Sequence, residues 1–277
     1  MNAPSAALAG EVYLARHGET RWNRDGRMQG RSDAPLTPLG WEQARRLAAF
    51  ARTCGVSRIL ASPLGRCQAT ARIVAEATGA LVETRAELVE MDFGLCSGGT
   101  VAQAEARFPE LLEQRRRDKW HARWPGGESY ADVVARLHSL VQDLAAEATT
   151  AGGELAPALA RTLAPAPARV PAPALALAPV PALAFAPAPA LAFAPTLVLA
   201  HQSVNRVLSC LLSTRSRMEA LASSQPADLV LRIAPDRSIE EIRTDGSADA
   251  PRPARAPSIS TSARSSEPAR AWKRTLI

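Results

Sequence analysis

Arg16-His17-Gly18 stands directly after a short apolar run, Glu11–Ala15, and that is where a catalytic histidine could do phosphorus chemistry. A neutral imidazole is a competent nucleophile toward phosphorus, and its phosphoramidate hydrolyses readily. Gly18 lets the backbone approach an anion closely. Three other segments supply matching groups. Ala61-Ser62-Pro63-Leu64-Gly65-Arg66 places a second arginine behind another strand-like run. Leu199-Ala200-His201-Gln202 places a second histidine behind a third. Leu88-Val89-Glu90-Met91-Asp92-Phe93-Gly94 offers carboxylates in a glycine-containing loop. A tetrahedral phosphate can be held without a metal if enough cations converge, and arginine's planar fork pairs with two oxygens at once. Taken alone, His17 is equally well read as a buried structural histidine; the three companion segments tip the reading toward an anion pocket.

These residues need a scaffold that brings strand ends together. Glu11–Ala15, Ser57–Ala61, Ala80–Thr84, Thr196–Ala200 and Asp228–Ile233 read as strands. Between them, Thr37-Pro38 opens a helix to about Cys54, stopped by Gly55, with Thr37 as cap and Pro38 at the first helical position. Ser62-Pro63 repeats the device and opens a helix ending near Gly79. Thr100–Trp120, Ser129–Thr149 and Ser203–Leu212 are helical by period. Strands alternating with helices predict an α/β fold of three layers, α/β/α, with a mainly parallel central sheet. Ligands of such sheets bind beyond the carboxyl ends of the strands, where both histidines stand.

Composition sets the limits. The chain has 277 residues and a net charge of +6. Arg252, Arg255, Arg264, Arg270, Lys273 and Arg274, against Asp249 and Glu267, put most of that charge after Ser247, so a nucleic-acid footprint is not expected. Residues 1–10 read as a disordered lead, 247–277 as a disordered basic tail, and 11–246 as a single domain interrupted by an Ala/Pro-rich insertion at 151–195. That insertion carries an octad repeat beginning at Pro173, Pro181 and Pro189 and is apolar enough to suggest a membrane span. Seven prolines between Pro171 and Pro195 would break any helix, so no span is expected. Cys54, Cys67, Cys96 and Cys210 form no Cys-x-x-Cys pair and no signal peptide is recognisable, so reduced thiols in a cytoplasmic protein are expected.

The resemblance to a known family is carried by Arg16-His17-Gly18-Glu19-Thr20-Arg21-Trp22-Asn23, by Gly26–Asp33 with Leu36-Thr37-Pro38-Leu39-Gly40, and by Trp124-Pro125-Gly126-Gly127-Glu128-Ser129. These motifs resemble the histidine phosphatase superfamily, the phosphoglycerate-mutase-like proteins, over roughly residues 11–150 and 196–233. The resemblance implies that His17 becomes phosphorylated, that Arg16, Arg66 and Asn23 hold the phosphoryl oxygens, and that His201 donates to the phosphate. It implies that Glu90 protonates the leaving oxygen and later activates water, with Asp92 as competitor, and that Glu19 orients arginines. No metal and no cofactor are implied. His201-Gln202-Ser203-Val204-Asn205-Arg206 is similar to the fructose-2,6-bisphosphatase branch, with Gln202 beside the phosphate where most members have glycine. Leu95-Cys96-Ser97-Gly98 replaces a Trp-Glu-Gly found in many small phosphatases, which leaves the substrate open. No Walker-type motif accompanies these segments, so no kinase half is expected.

The expected activity is hydrolysis of a small phosphorylated metabolite. Two readings stand beside it: a mutase that returns the phosphoryl group, and a non-catalytic phospho-ligand-binding module. Arg115-Arg116-Arg117 reads as a solvated helix face. Nothing in the sequence fixes the oligomeric state.

Overall fold

A computed structural model describes residues 8–150 and 194–246. The insertion, apart from Ala194 and Pro195, and the basic tail lie outside the described residues. Six strands form one sheet: β1 (Val12–Arg16), β2 (Arg58–Ala61), β3 (Leu81–Thr84), β4 (Thr196–Ala200), β5 (Leu229–Ile233) and β6 (Ile239–Arg243), in the order β3-β2-β4-β1-β5-β6. β3, β2, β4 and β1 run parallel, while β5 is antiparallel to both its neighbours. The fold is therefore α/β with a mostly parallel sheet, as expected.

Alternation along the strands builds the two sides of the core. Tyr13, Ala15, Ile59, Ala61, Leu197 and Leu199 face one side, against α2 (Pro38–Thr53) and α3 (Gly65–Thr78). Val12, Leu14, Leu60, Val198 and Ala200 face the other, against α6 (Tyr130–Thr150) and α7 (Gln202–Leu212). Period-2 side chains on a doubly covered sheet produce this division. Four shorter α-helices, α1 (Arg21–Arg24), α4 (Val101–Arg107), α5 (Pro109–Arg117) and α8 (Arg217–Ala222), and two 3-10 turns at Ala86–Leu88 and Gly94–Cys96 complete the description.

Thr37 caps α2 as expected, its hydroxyl accepting from the Gly40 N–H at 3.0 Å. Several boundaries differ from the sequence reading. The stretch 100–120 is two helices, because Pro109 forbids a helical conformation at Phe108 and supplies no donor. Ser62 is not the cap of α3, which begins at Gly65 with Leu64 at the cap position and no capping side chain. β6 was not expected; its Ile-Glu-Glu-Ile-Arg alternates poorly and lies at a sheet edge. Leu8 is buried and its N–H donates to the Pro235 carbonyl at 3.3 Å, so the core starts inside the segment read as a disordered lead. Arg115 is buried with its guanidinium 4.2 Å from the Trp124 ring centroid, whereas Arg116 and Arg117 are exposed. The triplet is thus not a uniformly solvated face.

Candidate active site

The register of β1 on β4 pairs Arg16 with Ala200, so the next residues, His17 and His201, leave the sheet side by side. Their ring centroids are 5.1 Å apart. A cleft of about 350 Å³ opens here, lined by Arg16, His17, Asn23, Arg66, Glu90 and Gln202 from the expected set, and by Arg27, Met28, Gln29, Phe93 and Ser224 among others.

His17 is held as a particular tautomer. Its Nδ1 lies 2.8 Å from the Gly18 carbonyl, an acceptor, so Nδ1 carries the proton. Nε2 therefore keeps its lone pair, and Arg66 Nε donates to it at 3.2 Å. Burial, then the charges of Arg16 and Arg66, hold the imidazole pKa well below its ordinary 6.5. The ring is neutral and its Nε2 lone pair accepts from a cation.

Arg66 sits at the start of α3 and is almost wholly buried. Besides His17 it donates to the carbonyls of Ser32 at 2.7 Å and Gly30 at 2.8 Å, and to Asp33 Oδ1 at 2.9 Å. Asp33 also accepts from the Arg66 backbone N–H at 3.4 Å, giving α3 the cap that its own sequence lacks. A Cβ on Gly65 would lie 2.6 Å from Asp33 Oδ2, so glycine leaves room for that carboxylate.

Arg16 donates to Gln202 Oε1 at 3.1 Å and to the Gln225 carbonyl at 3.4 Å. Burial draws its pKa down, with Glu90 acting in the opposite sense. Glu90 is buried; its Oε1 accepts from the Met91 N–H at 2.7 Å and Oε2 from the Ser203 N–H at 3.4 Å. Its loop is clamped by Trp124–Ser129. The Glu128 N–H donates to the Asp92 carbonyl at 2.8 Å, and Glu128 Oε2 accepts from the Asp92 N–H at 2.9 Å. A Cβ at Gly94 would fall 2.1 Å from the Pro125 carbonyl, and one at Gly127 would fall 2.3 Å from that of Asp92. The glycines of both motifs are therefore the condition for Glu90 to reach the cleft. Asp92 turns instead onto its own loop, accepting from the Gly94 N–H at 2.8 Å.

His201 is fully buried and is not among the residues lining the cleft. Its Nε2 lies 2.8 Å from the Ser62 hydroxyl and 3.5 Å from Cys67 Sγ. Its Nδ1 lies 3.9 Å from the same sulfur, a weak contact that a group bound at His17 could displace. Burial, then Arg66, His17 and Arg16, hold its pKa well below 6.5. Glu19 does not bond an arginine in the described geometry; its carboxylate accepts from the Thr37 hydroxyl at 2.7 Å and so steadies the start of α2.

Sequence reasoning missed Thr20, Gln29, Asp33 and Ser62. Ser62 and Asp33 stood inside quoted motifs, but their spacing signalled a cap and a loop. Among the described residues, no group of three or more His, Cys, Asp or Glu is placed to hold a metal ion. Nor does any described helix have the length and apolar content to cross a membrane. All four cysteines are free.

A family model described as the histidine phosphatase superfamily, branch 1, matches residues 12–155. The chain belongs to this superfamily. A probable phosphoglycerate mutase GpmB of Enterobacter sp. (strain 638) is 40% identical over 136 residues, covering 48% of this chain and 62% of that protein. The protein of the same name from Salmonella paratyphi B is 37% identical over 129 residues, with 47% and 60% covered. The chain thus spans about three fifths of the length of these curated relatives. Among solved structures, mycobacterial hydrolase 1 superposes with a TM-score of 0.62 at 26% identity, covering 86% of this chain and 99% of its own. A mycobacterial glucosyl-3-phosphoglycerate phosphatase gives 0.59 at 27%, covering 80% and 89%. Histidine phosphatase relatives are thus named both as phosphatases and as mutases.

Proposed function

We propose that this histidine phosphatase hydrolyses small phosphomonoesters without a metal, through a phosphohistidine on His17. The observation that carries the reading is the fixed tautomer of His17: a neutral ring, Nδ1 bonded to the Gly18 carbonyl, and Nε2 unprotonated beneath the Arg66 guanidinium. In the first step the Nε2 lone pair forms the N–P bond as the P–O bond to the leaving alcohol breaks, and a protonated Glu90 gives its proton to that oxygen. In the second, water attacks phosphorus, Glu90 takes the water's proton, and the N–P bond pair returns to Nε2. Arg16, Arg66 and the Asn23 amide hold the phosphoryl oxygens, with Gln202 fixing Arg16. His201 serves the same group through Nδ1 and stabilises its growing charge.

A mutase is the second reading, favoured by the name of the Enterobacter relative. Hydrolysis is the reading carried forward, in line with the mycobacterial hydrolase 1 and the glucosyl-3-phosphoglycerate phosphatase that the chain resembles in structure. The test is turnover of p-nitrophenyl phosphate in excess EDTA by the chain and by His17→Ala. Release of phosphate that survives EDTA and vanishes in the variant is expected. Hydrolysis undiminished in His17→Ala, or abolished by EDTA, would refute the reading. Interconversion of phosphoglycerates faster than release of phosphate would favour the mutase, and ester binding without turnover the phospho-ligand module.

A further inference from the structure

A neutral imidazole has one proton for two nitrogens, and in a buried site the neighbours decide which nitrogen holds it. For His17 the Gly18 carbonyl decides. For His201 the group in that position is the Ser62 hydroxyl, 2.8 Å from Nε2. Ser62, His201 and Cys67 are all fully buried. Burial and the surrounding Arg66, His17 and Arg16 keep the His201 ring neutral, so the choice between its nitrogens is a real one.

Two arrangements of protons fit these atoms. In the first, the Ser62 hydroxyl donates to Nε2 and the ring proton is on Nδ1. In the second, Nε2–H donates to the Ser62 oxygen, and the hydroxyl turns to the Cys67 thiol, with which it also interacts. Sulfur is a weak acceptor, whereas an imidazole lone pair is a full one. The thiol's own hydrogen goes to the Ala200 carbonyl at 3.4 Å. The first arrangement therefore gives the hydroxyl its stronger partner, and the Ser62 oxygen still accepts from the Leu64 N–H at 3.4 Å. The 2.8 Å separation matches the shorter bonds that O–H donors make. A phosphate dianion sharpens the preference. Its oxygens only accept, so a bare Nδ1 would repel them and an Nδ1–H meets them.

We propose that Ser62 is the positioning residue of His201: its hydroxyl occupies the Nε2 lone pair, so that the ring presents its proton on Nδ1 to the phosphoryl group. The inference rests on the phosphatase reading, in which His201 serves the phosphoryl oxygens. Ser62 is itself held by its backbone. Its N–H donates to the Leu199 carbonyl at 3.1 Å, and its carbonyl accepts from Gln68 Nε2 at 2.7 Å. Ser62→Ala keeps both bonds and removes only the hydroxyl. Cys67 Sγ is then the remaining partner, 3.5 Å from Nε2 and 3.9 Å from Nδ1. The nearer nitrogen takes the proton, and the tautomer reverses.

The test is nitrogen NMR of the chain with 15N-labelled histidine, at about pH 7.5, with and without inorganic phosphate; bare and protonated ring nitrogens have distinct shifts. The His201 signals are those lost in His201→Gln. A protonated Nδ1 and a bare Nε2 are expected in both conditions. A proton on Nε2 in either one, alone or beside a proton on Nδ1, overturns the proposal, and this result stands even if Ser62→Ala does not fold. In Ser62→Ala the proton should move to Nε2, and kcat/KM for p-nitrophenyl phosphate should fall about 10–100-fold. Turnover undiminished in that variant overturns the proposal. A double-mutant cycle excludes a merely structural role: Ser62→Ala added to His201→Gln should cost less than about threefold more, because Ser62 acts through His201. The full fall repeated in that background overturns the proposal. Failure of the phosphatase reading shows separately, as no turnover of p-nitrophenyl phosphate and no phosphohistidine in the unsubstituted chain.

Discussion

Acidification should unfold this protein through two histidines that the native state refuses to protonate. His17 and His201 are both buried beside Arg16 and Arg66, and their pKa values lie well below 6.5 in the fold. The depressed folded value fixes the sign: the stability these rings contribute is complete above about pH 6.5 and is lost as the pH falls, because only the unfolded chain takes up their protons. Each such group contributes a slope of up to about 1.4 kcal/mol per pH unit. Integrated from about pH 7 to about pH 5.5, with both rings still neutral when folded, the loss is roughly 1.2 kcal/mol each and 2.5 kcal/mol together. Urea unfolding followed by circular dichroism in phosphate-free buffer at the two pH values measures it. The comparison is with His17→Gln/His201→Gln, which keeps His121, His138 and all the carboxylates, so their titration cancels. The double variant should lose about 2.5 kcal/mol less on acidification than the parent, and each single variant about half that amount less. Parent and double variant with the same pH dependence, within about 0.5 kcal/mol, would refute the claim that burial and the two arginines keep these rings neutral.

Two further predictions concern shape and charge. A Cβ at Gly18 would lie 2.2 Å from the Gly40 carbonyl oxygen, a backbone atom that cannot swing away. Gly18→Ala should therefore cost about 2–3 kcal/mol, read as a fall of roughly 5–10 °C in the thermal midpoint; an unchanged midpoint would contradict the packing described. Arg66→Lys keeps the charge, but one ammonium cannot meet Ser32, Gly30, Asp33 and His17 together. A fall of about 10²–10³-fold in kcat/KM for p-nitrophenyl phosphate is expected, and near-normal activity would show that charge alone suffices.

Three of the parallel strands, β1, β2 and β4, were legible because each carries a short apolar run closed by turn signals, and Arg16-His17, Arg66 and His201 stand at or just after the points where these runs stop. Glu90 was legible only through resemblance, since nothing in a loop carboxylate's spacing says which way it turns. What decides between Glu90 and Asp92 is the clamp from Trp124–Ser129, a contact between segments far apart in sequence. Ser62 illustrates the converse. Ser-Pro before a helix reads as a cap, but the chain end of β2 carries that hydroxyl to His201 across the sheet instead. Arg115 misled because charge is read as surface, whereas a guanidinium can lie flat on an indole and be covered.

The place of β4 in the sheet bears on how the molecule is made. β4 lies between β1 and β2, yet it is encoded after residues 151–195. On a ribosome adding about 5–20 residues per second, β1 and β2 wait on the order of ten seconds for the strand that joins them. Through that interval their facing edges are open to any other strand. His17 and His201 therefore meet only when that wait is over.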